Sequence, residues 1–320
     1  MNSRPKVSVI VPIFNARDYI ERCAHSLFGQ TLDDIEYIFV DDKSPDDSLV
    51  ILDGVLAKYP GRQTRVKVLS MAENSKQAAA RDRGVWESTG EYVIHCDPDD
   101  WVDADYYEKL YNTAKGGGYD VVTGDFLYEY DGKTIANDIN LDILNPRDAL
   151  FTDKHTFFTL WLFMIKSDLI KDNDIHFFPD VNLMEDWGFV LRAMFFAKSI
   201  YHVTDTFYHY RKDNPRSITA PENIKRFAGQ QELCVKYLDA FLKEQGCKTE
   251  EALCVLRAKR DIKNGLLSVD TIKDWKETFP EAAVYEYRFS EGGFLYRLTY
   301  LMSHFMGSGL MKMFLKIKGL

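Results

Sequence analysis

The chain has 320 residues, 46% hydrophobic and 28% charged, enough for one large globular domain or a domain with an appendage. Its formal net charge of -9 excludes a general nucleic-acid binder, because neutralising phosphates needs a basic surface. The five cysteines are scattered and form no Cys-x-x-Cys pair, which argues against a disulfide framework or a zinc site and fits a reducing cytoplasm.

Residues 6–12, KVSVIVP, are β-branched and bounded by proline, which predicts a buried strand and not a signal peptide. ARDYIERCAHSLFGQ follows with helical spacing, so that Tyr19, Ile20, Cys23, Leu27 and Phe28 share a face. IEYIFVDD is a second strand. SPDDSLVILDGVLAKYP opens on Ser-Pro with two early acids and ends at Pro60, a well-signalled helix. RVKVLS, SKQAAARDRGVWEST, EYVIHCD, DADYYEKLYNTAKGGG and YDVVTGDF continue as strand, helix, strand, helix, strand. Strands alternating with helices imply an α/β fold with a mainly parallel sheet flanked by helices.

After about residue 125 the pattern loosens. FLYEYDGKTIA predicts a hairpin turning at Asp131-Gly132. FFTLWLFMIKSDLI reads as a strand or buried segment running into a helix, EDWGFVLRAMFFAKS as a helix with acids in its first turn, and IYHVTDTFYHYR as a strand. Beyond residue 221 the spacing is mostly helical, so the expected division is a domain over 1–220 and a helical region over 221–320. No apolar segment approaches the ~20 residues that a membrane-spanning helix needs.

In open α/β sheets ligands bind beyond the carboxyl ends of the strands. That rule places VPIFN, VDDKS and CDPDDW on one rim. The plain reading of DPDDW is a helix start capped by Asp100 or Asp103. The alternative is a cation site, since crowded carboxylates repel and a divalent ion relieves them. Hard oxygen ligands suit Mg²⁺ or Mn²⁺. His95 and Cys96 point to opposite faces of a strand and do not chelate together, so core filling is the reading for Cys96.

The ordered set VSVIVPIFNARDYIERCAHSLFGQTLDDIEYIFVDDKSPDDS, then AAARDRGVWESTGEYVIHCDPDDW, resembles the family 2 glycosyltransferases, which have the GT-A (Rossmann-like) fold. The resemblance is dense over roughly residues 6–125 and looser to about residue 217. It implies an inverting, metal-dependent transferase of the hexosyltransferase type, moving a sugar from a nucleotide diphosphate sugar, UDP-linked by expectation. The acceptor is a hydroxyl of a glycan or lipid-linked molecule in cell-surface polysaccharide synthesis.

Residue by residue, the resemblance assigns Asp99 and Asp97 to the metal, with Asp97 also near the donor's ribose, and Pro12, Phe14 and Asn15 to the base-binding edge. Asp41 matches the acid that recognises the base, leaving Asp42 as a turn acid. Arg81 matches a position near the base or diphosphate. The sequence departs from the family pattern at Lys43, often glycine, at Ser75-Lys76 in place of glycine, and at Asp82 in place of asparagine. NLMEDWGF resembles the Glu-Asp motif, which makes Asp186 the catalytic base and Glu185 its support; as plain residues they are acids at a helix start. FYHYRKDNPRSIT resembles a segment that folds over the donor, bringing His209, Arg211 and Ser217 to the diphosphate.

From Gly292 to Leu320 there is no acid. Phe294, Leu298, Leu301 and Phe305, then Leu310, Met313, Phe314 and Ile317, follow helical spacing beside Arg297, Lys312, Lys316 and Lys318. One reading is helices packed on the catalytic domain; the other is an amphipathic anchor giving a cytoplasmic protein peripheral contact with the inner face of the cell membrane. Two rival functions are a sugar-nucleotidyltransferase, disfavoured by the absence of glycine in VPIFNARDY, and a non-catalytic nucleotide-sugar-binding partner in a glycan assembly complex.

Overall fold

The computed structural model describes residues 4–136, 145–151, 158–218, 228–248, 251–268, 270–289, 293–306 and 309–318. The expected boundary at residues 220/221 lies outside them, as do the side chains of Leu310, Phe314, Ile317 and Lys318.

The chain forms two compact units, Met1–Ala149 with Thr156–Gln230, and Leu150–His155 with Gln231–Leu320. The first holds the sheet. Its strands are β1 (Val7–Ile13), β2 (Ile35–Asp41), β3 (Val66–Ser70), β4 (Tyr92–His95), β5 (Trp101–Val102), β6 (Val121–Tyr130), β7 (Lys133–Ala136), β8 (Phe163–Lys166) and β9 (Ile200–Arg211). They are ordered β3-β2-β1-β4-β8-β6-β9-β5, with β7 paired to β6. The half from β3 to β4 is parallel throughout. The other half mixes antiparallel β8 and β5 with a parallel β6–β9 pair. β1 lies between parallel neighbours and all seven of its residues are buried, as its apolar run, broken only by Ser8, requires.

α1 (Ile20–Phe28), α2 (Ser48–Leu56), α3 (Lys76–Glu87), α4 (Tyr106–Gly117), α6 (Ser167–Asp172) and α7 (Glu185–Phe196) fall where the sequence places helices, and a short α5 (Asp148–Phe151) is one the sequence does not announce. α1 buries Ile20, Cys23, Ala24, Leu27 and Phe28, close to the predicted stripe. α3 packs on β1 and β2. Gly84 permits that approach: a Cβ there would stand 2.5 Å from Cγ2 of Ile10. The β6–β7 hairpin turns at Gly132, whose φ of 72° is the left-handed conformation the Asp-Gly signal predicts.

Neither Asp100 nor Asp103 caps α4. Asp100 is buried and accepts from the Tyr208 hydroxyl (2.6 Å) and the Arg211 amide (2.8 Å). Asp103 accepts from the Phe207 amide (2.9 Å). Both carboxylates fasten β9 to the loop after β4.

The second unit is helical: α8 (Ala228–Glu244), α9 (Leu253–Gly265), α10 (Ile272–Glu277), α11 (Ala282–Phe289), α12 (Phe294–Met306) and α13 (Gly309–Lys318). Its core gathers Ile272, Trp275, Ala283, Tyr300, Met311 and Leu315. Lys259 is buried and paired with Asp239 and with Glu281, the latter at 2.7 Å, so that its charge is balanced inside the unit.

Candidate active site

The carboxyl ends of β1 and β4 open onto a cavity of about 490 Å³. Pro12, Phe14 and Asn15 line it from β1 and the turn beyond; Asp97 and Asp99 line it from the loop after β4. These are five of the residues expected at the site. Phe14 is 47% exposed, so its ring is not core filling but an open apolar face at the cavity edge. Asn15 takes φ 55°, a left-handed turn that asparagine tolerates, and its amide donates to the Ser44 hydroxyl (2.8 Å). Asp46 fixes this turn by accepting from the hydroxyl and amide of Ser48, from Ser44 and from the Arg17 amide. Burial opposes its charge, yet those hydrogen bonds pull its carboxyl down to about 2.

Asp41 and Asp42 are placed differently from expectation. Asp41 accepts from the Ser44 amide (2.9 Å), the work of a turn acid, and does not line the cavity. Asp42 does line it, and accepts from the amides of Ser75 (2.7 Å) and Lys76 (2.8 Å). Desolvation raises the Asp42 carboxyl, and those amides oppose the rise. Lys43 and Lys76 adopt φ of 61° and 72°. These are two of the positions where the family pattern favours glycine, and the left-handed backbone is the physical reason for that preference. Asp82 accepts from the Phe177 amide (2.9 Å) and sits 2.9 Å from Nδ1 of His176, holding together two distant parts of the chain.

Arg81 is buried and does not line the cavity. Its Nη2 donates to Asp97 at 2.6 Å, and its Nη1 donates to Glu185. One guanidinium therefore joins the end of β4 to the first residue of α7. Gln77 adds a second tie, donating to Glu185 (2.7 Å) and to the Asn182 carbonyl (2.9 Å). Asp186 follows Glu185 in the first turn of α7 and accepts from the Trp187 amide (2.7 Å). It stands beside the cavity's lining, not in it. Burial raises both carboxyls of this pair, and the Arg81 charge opposes the rise in each.

Arg211 also stands behind the cavity. Its Nε donates to the Asp99 carbonyl (3.1 Å) and its Nη1 to Asp213 (3.2 Å), so it braces the acidic loop from the main-chain side. His209 is held between Glu129 (2.7 Å) and Asp103 (3.0 Å) and stacks on Trp101. Of the three residues expected at the diphosphate from this segment, Ser217 lines the cavity. Sequence reasoning passed over Asn214 and Arg216, which line it too. Asn214 donates to Asp99 Oδ2 at 2.6 Å, and Arg216 pairs with Asp18 at 3.2 Å. The Asn214 side chain reaches back across 115 residues, a contact that leaves no local signal in the sequence.

Asp99 is the carboxylate that a cation would serve. Desolvation raises its carboxyl first, then the neighbouring Asp97, against the Asn214 hydrogen bond. No group of three or more His, Cys, Asp or Glu side chains gathers as a metal site among the described residues. Two carboxylates facing one cavity fit an ion that keeps waters and draws its remaining ligands from phosphate oxygens.

The family model described as Glycosyl transferase family 2 matches residues 8–172. The chain is 35% identical over 217 residues to the putative glycosyltransferase EpsH of Bacillus subtilis (strain 168), covering 65% of this chain and 61% of that relative. It is 29% identical over 283 residues to poly(ribitol-phosphate) beta-glucosyltransferase of Bacillus spizizenii, covering 86% of this chain and 44% of the relative. The chain thus spans about three fifths and under half of these relatives' lengths. Among solved structures, TarS 1-349 from S. aureus superposes with a TM-score of 0.68 at 18% identity, covering 98% of this chain and 92% of that one. The same protein in complex with UDP-GlcNAc superposes with a TM-score of 0.60. The likeness to TarS carries the fold, which is GT-A. The matched segment, from the first strand through the acidic loop to α6, places this chain in glycosyl transferase family 2, as a glycosyltransferase.

Proposed function

We propose that the chain transfers a sugar, with inversion, from a UDP-linked donor to a hydroxyl of a glycan or lipid-linked acceptor in cell-surface polysaccharide synthesis. Residues 1–220 carry the donor and catalytic work, and 221–320 form the appended helical region. The observation that carries this reading is the single cavity edged by Phe14 and Asn15 on one side and Asp97 and Asp99 on the other, with Arg81 linking Asp97 to the start of α7. An open aromatic face and nearby main-chain groups suit a base; two carboxylates suit a diphosphate-bound cation. A relative named poly(ribitol-phosphate) beta-glucosyltransferase, and a neighbour solved in complex with UDP-GlcNAc, support the substrate class.

In this reading Pro12, Phe14 and Asn15 hold the base with Asp42 on the cavity wall, while Asp41 fixes the turn at Ser44 and Asp42 also ties down the loop that carries Lys76. Asp99 and Asp97 hold Mg²⁺ or Mn²⁺, which when bound neutralises charge developing on the departing diphosphate. Arg81 positions Asp97 and Glu185, and Arg211 braces Asp99 through its carbonyl. Asp186 accepts the acceptor's hydroxyl proton as that oxygen bonds to the anomeric carbon and the bond to the diphosphate breaks. A carboxyl raised by burial is a stronger base than an ordinary aspartate, which offsets the acidifying pull of a helix start. The workplace is the cytoplasmic face of the cell membrane, where a soluble donor meets a lipid-linked acceptor, with peripheral contact through the C-terminal helices.

Asp186→Asn tests the assignment. Donor binding by calorimetry is expected to survive while transfer falls by about 10²–10⁴. Transfer retained at near wild-type rate removes Asp186 from the reaction.

A further inference from the structure

The last two helices of the second unit differ from the rest of the chain in charge. Residues 293–318 carry four basic residues, Arg297, Lys312, Lys316 and Lys318, and no acid. The whole chain is -9, so this segment holds +4 and the remainder -13. One side of α12 and α13 is committed to the unit's own core through Tyr300, Met311 and Leu315. Among the described residues the other side carries exposed apolar side chains. Phe294 is 63% exposed, Leu295 76%, Phe305 62% and Met313 58%. Four of the ten exposed large hydrophobic residues described for the chain therefore lie on these two helices.

The spacing makes a surface. Phe294 and Phe305 are eleven residues apart, which at ~100° per residue returns the second to within about 20° of the first. On α13, Lys312, Met313 and Lys316 are all exposed, so cations stand beside the apolar side chain. Neither helix crosses a bilayer, for they have 13 and 10 residues and no described helix is long and apolar enough. Short helices with an apolar face rimmed by cations lie in the plane of an interface.

We infer that this face docks on an anionic phospholipid surface, inserting Phe294, Leu295, Phe305 and Met313 while the exposed Lys312 and Lys316 meet the headgroups. Charge decides among occupants. A second copy would bring like patches together, because a two-fold contact pairs each patch with itself, and +4 would meet +4. A chain otherwise at -13 is repelled by an anionic membrane except through this segment, which also fixes the face presented. The inference rests on the proposed function for the choice of a membrane as workplace, and its test is independent of transfer.

The test is co-sedimentation of the full chain, without donor or acceptor, with vesicles of phosphatidylcholine alone or with about one third phosphatidylglycerol. Binding is expected to the anionic vesicles only, weakened by added salt. Lys312→Glu/Lys316→Glu is expected to weaken it at least about tenfold. Phe294→Ser/Leu295→Ser is expected to abolish retention while melting with the wild type, since both side chains are exposed. Equal binding to neutral vesicles, or variants that bind like the wild type, overturns the inference. So does a dimer in light scattering that Phe294→Ser/Leu295→Ser dissolves, which assigns the face to a second copy. Wild-type protein that ignores anionic vesicles yet still consumes its donor overturns the surface and leaves the transferase reading intact.

Discussion

Arg81→Met removes one cation and strands two carboxylates. The Arg81 side chain is 6% exposed, that of Glu185 5% and that of Asp97 22%, so no bulk water replaces the lost partner at Glu185. Methionine keeps the length and apolar stem, which isolates the charge from the packing. Breaking a buried pair by deleting one member costs ~3–5 kcal/mol, out of a typical total of ~5–15. The pH dependence has a definite sign. Without Arg81, burial raises the Glu185 carboxyl further above its unfolded value. A neutral carboxyl needs no cation, so the deficit is smallest at low pH and grows as pH rises through the raised value. Urea unfolding between about pH 5 and 8 reads it directly. Arg81→Met/Glu185→Gln is expected to recover much of the loss, because the stranded charge goes with its partner. A loss below about 1 kcal/mol, or one independent of pH, refutes the idea that this guanidinium holds the acidic loop to α7.

Other outcomes follow from the same geometry. Because burial raises Asp186, the acid limb of transfer is expected above the ordinary aspartate value of ~3.9, and a pH–rate profile locates it. Asn214→Leu removes a hydrogen bond to a charged carboxylate, worth ~1.5–3 kcal/mol, and is expected to weaken Mn²⁺-dependent donor binding about tenfold or more in calorimetry, with the melting temperature little changed. Gly84→Ala drives a methyl onto Ile10 and is expected to cost ~1–3 kcal/mol in urea unfolding without altering donor specificity.

Much of the first unit was legible because its signals are local. Apolar β-branched runs gave β1, β2 and β4, a Ser-Pro start gave α2, and Asp131-Gly132 gave the hairpin. Long-range pairing was not legible. Nothing near Phe163 announces that β8 inserts between β4 and β6. Which of the two acids after β2 faces the cavity was not legible, because side-chain direction at a strand end depends on the following turn, here with Lys43 left-handed. The carboxylates at Asp100 and Asp103 looked like caps because a cap and a cross-strand anchor share one composition. Arg81 matched a family position, but its bridge to Glu185 spans 104 residues and leaves no periodic trace. Arg216 adjoins the flagged Ser217, and only the fold brings it to the cavity.

The grip of Asn214 on Asp99 has a kinetic side. The stretch from Asp213 to Ile218 is tied to the acidic loop at Asp99 and touches α1 through Tyr19, 3.3 Å from the Asn214 oxygen. To swing outward it must give up these contacts together with the Arg216–Asp18 pair. In the proposed reaction the escape of spent nucleotide and the slackening of the Asp99 carboxylate are then one event, and a chain altered at Asn214 is expected to turn over with a different rhythm even where its chemistry is intact.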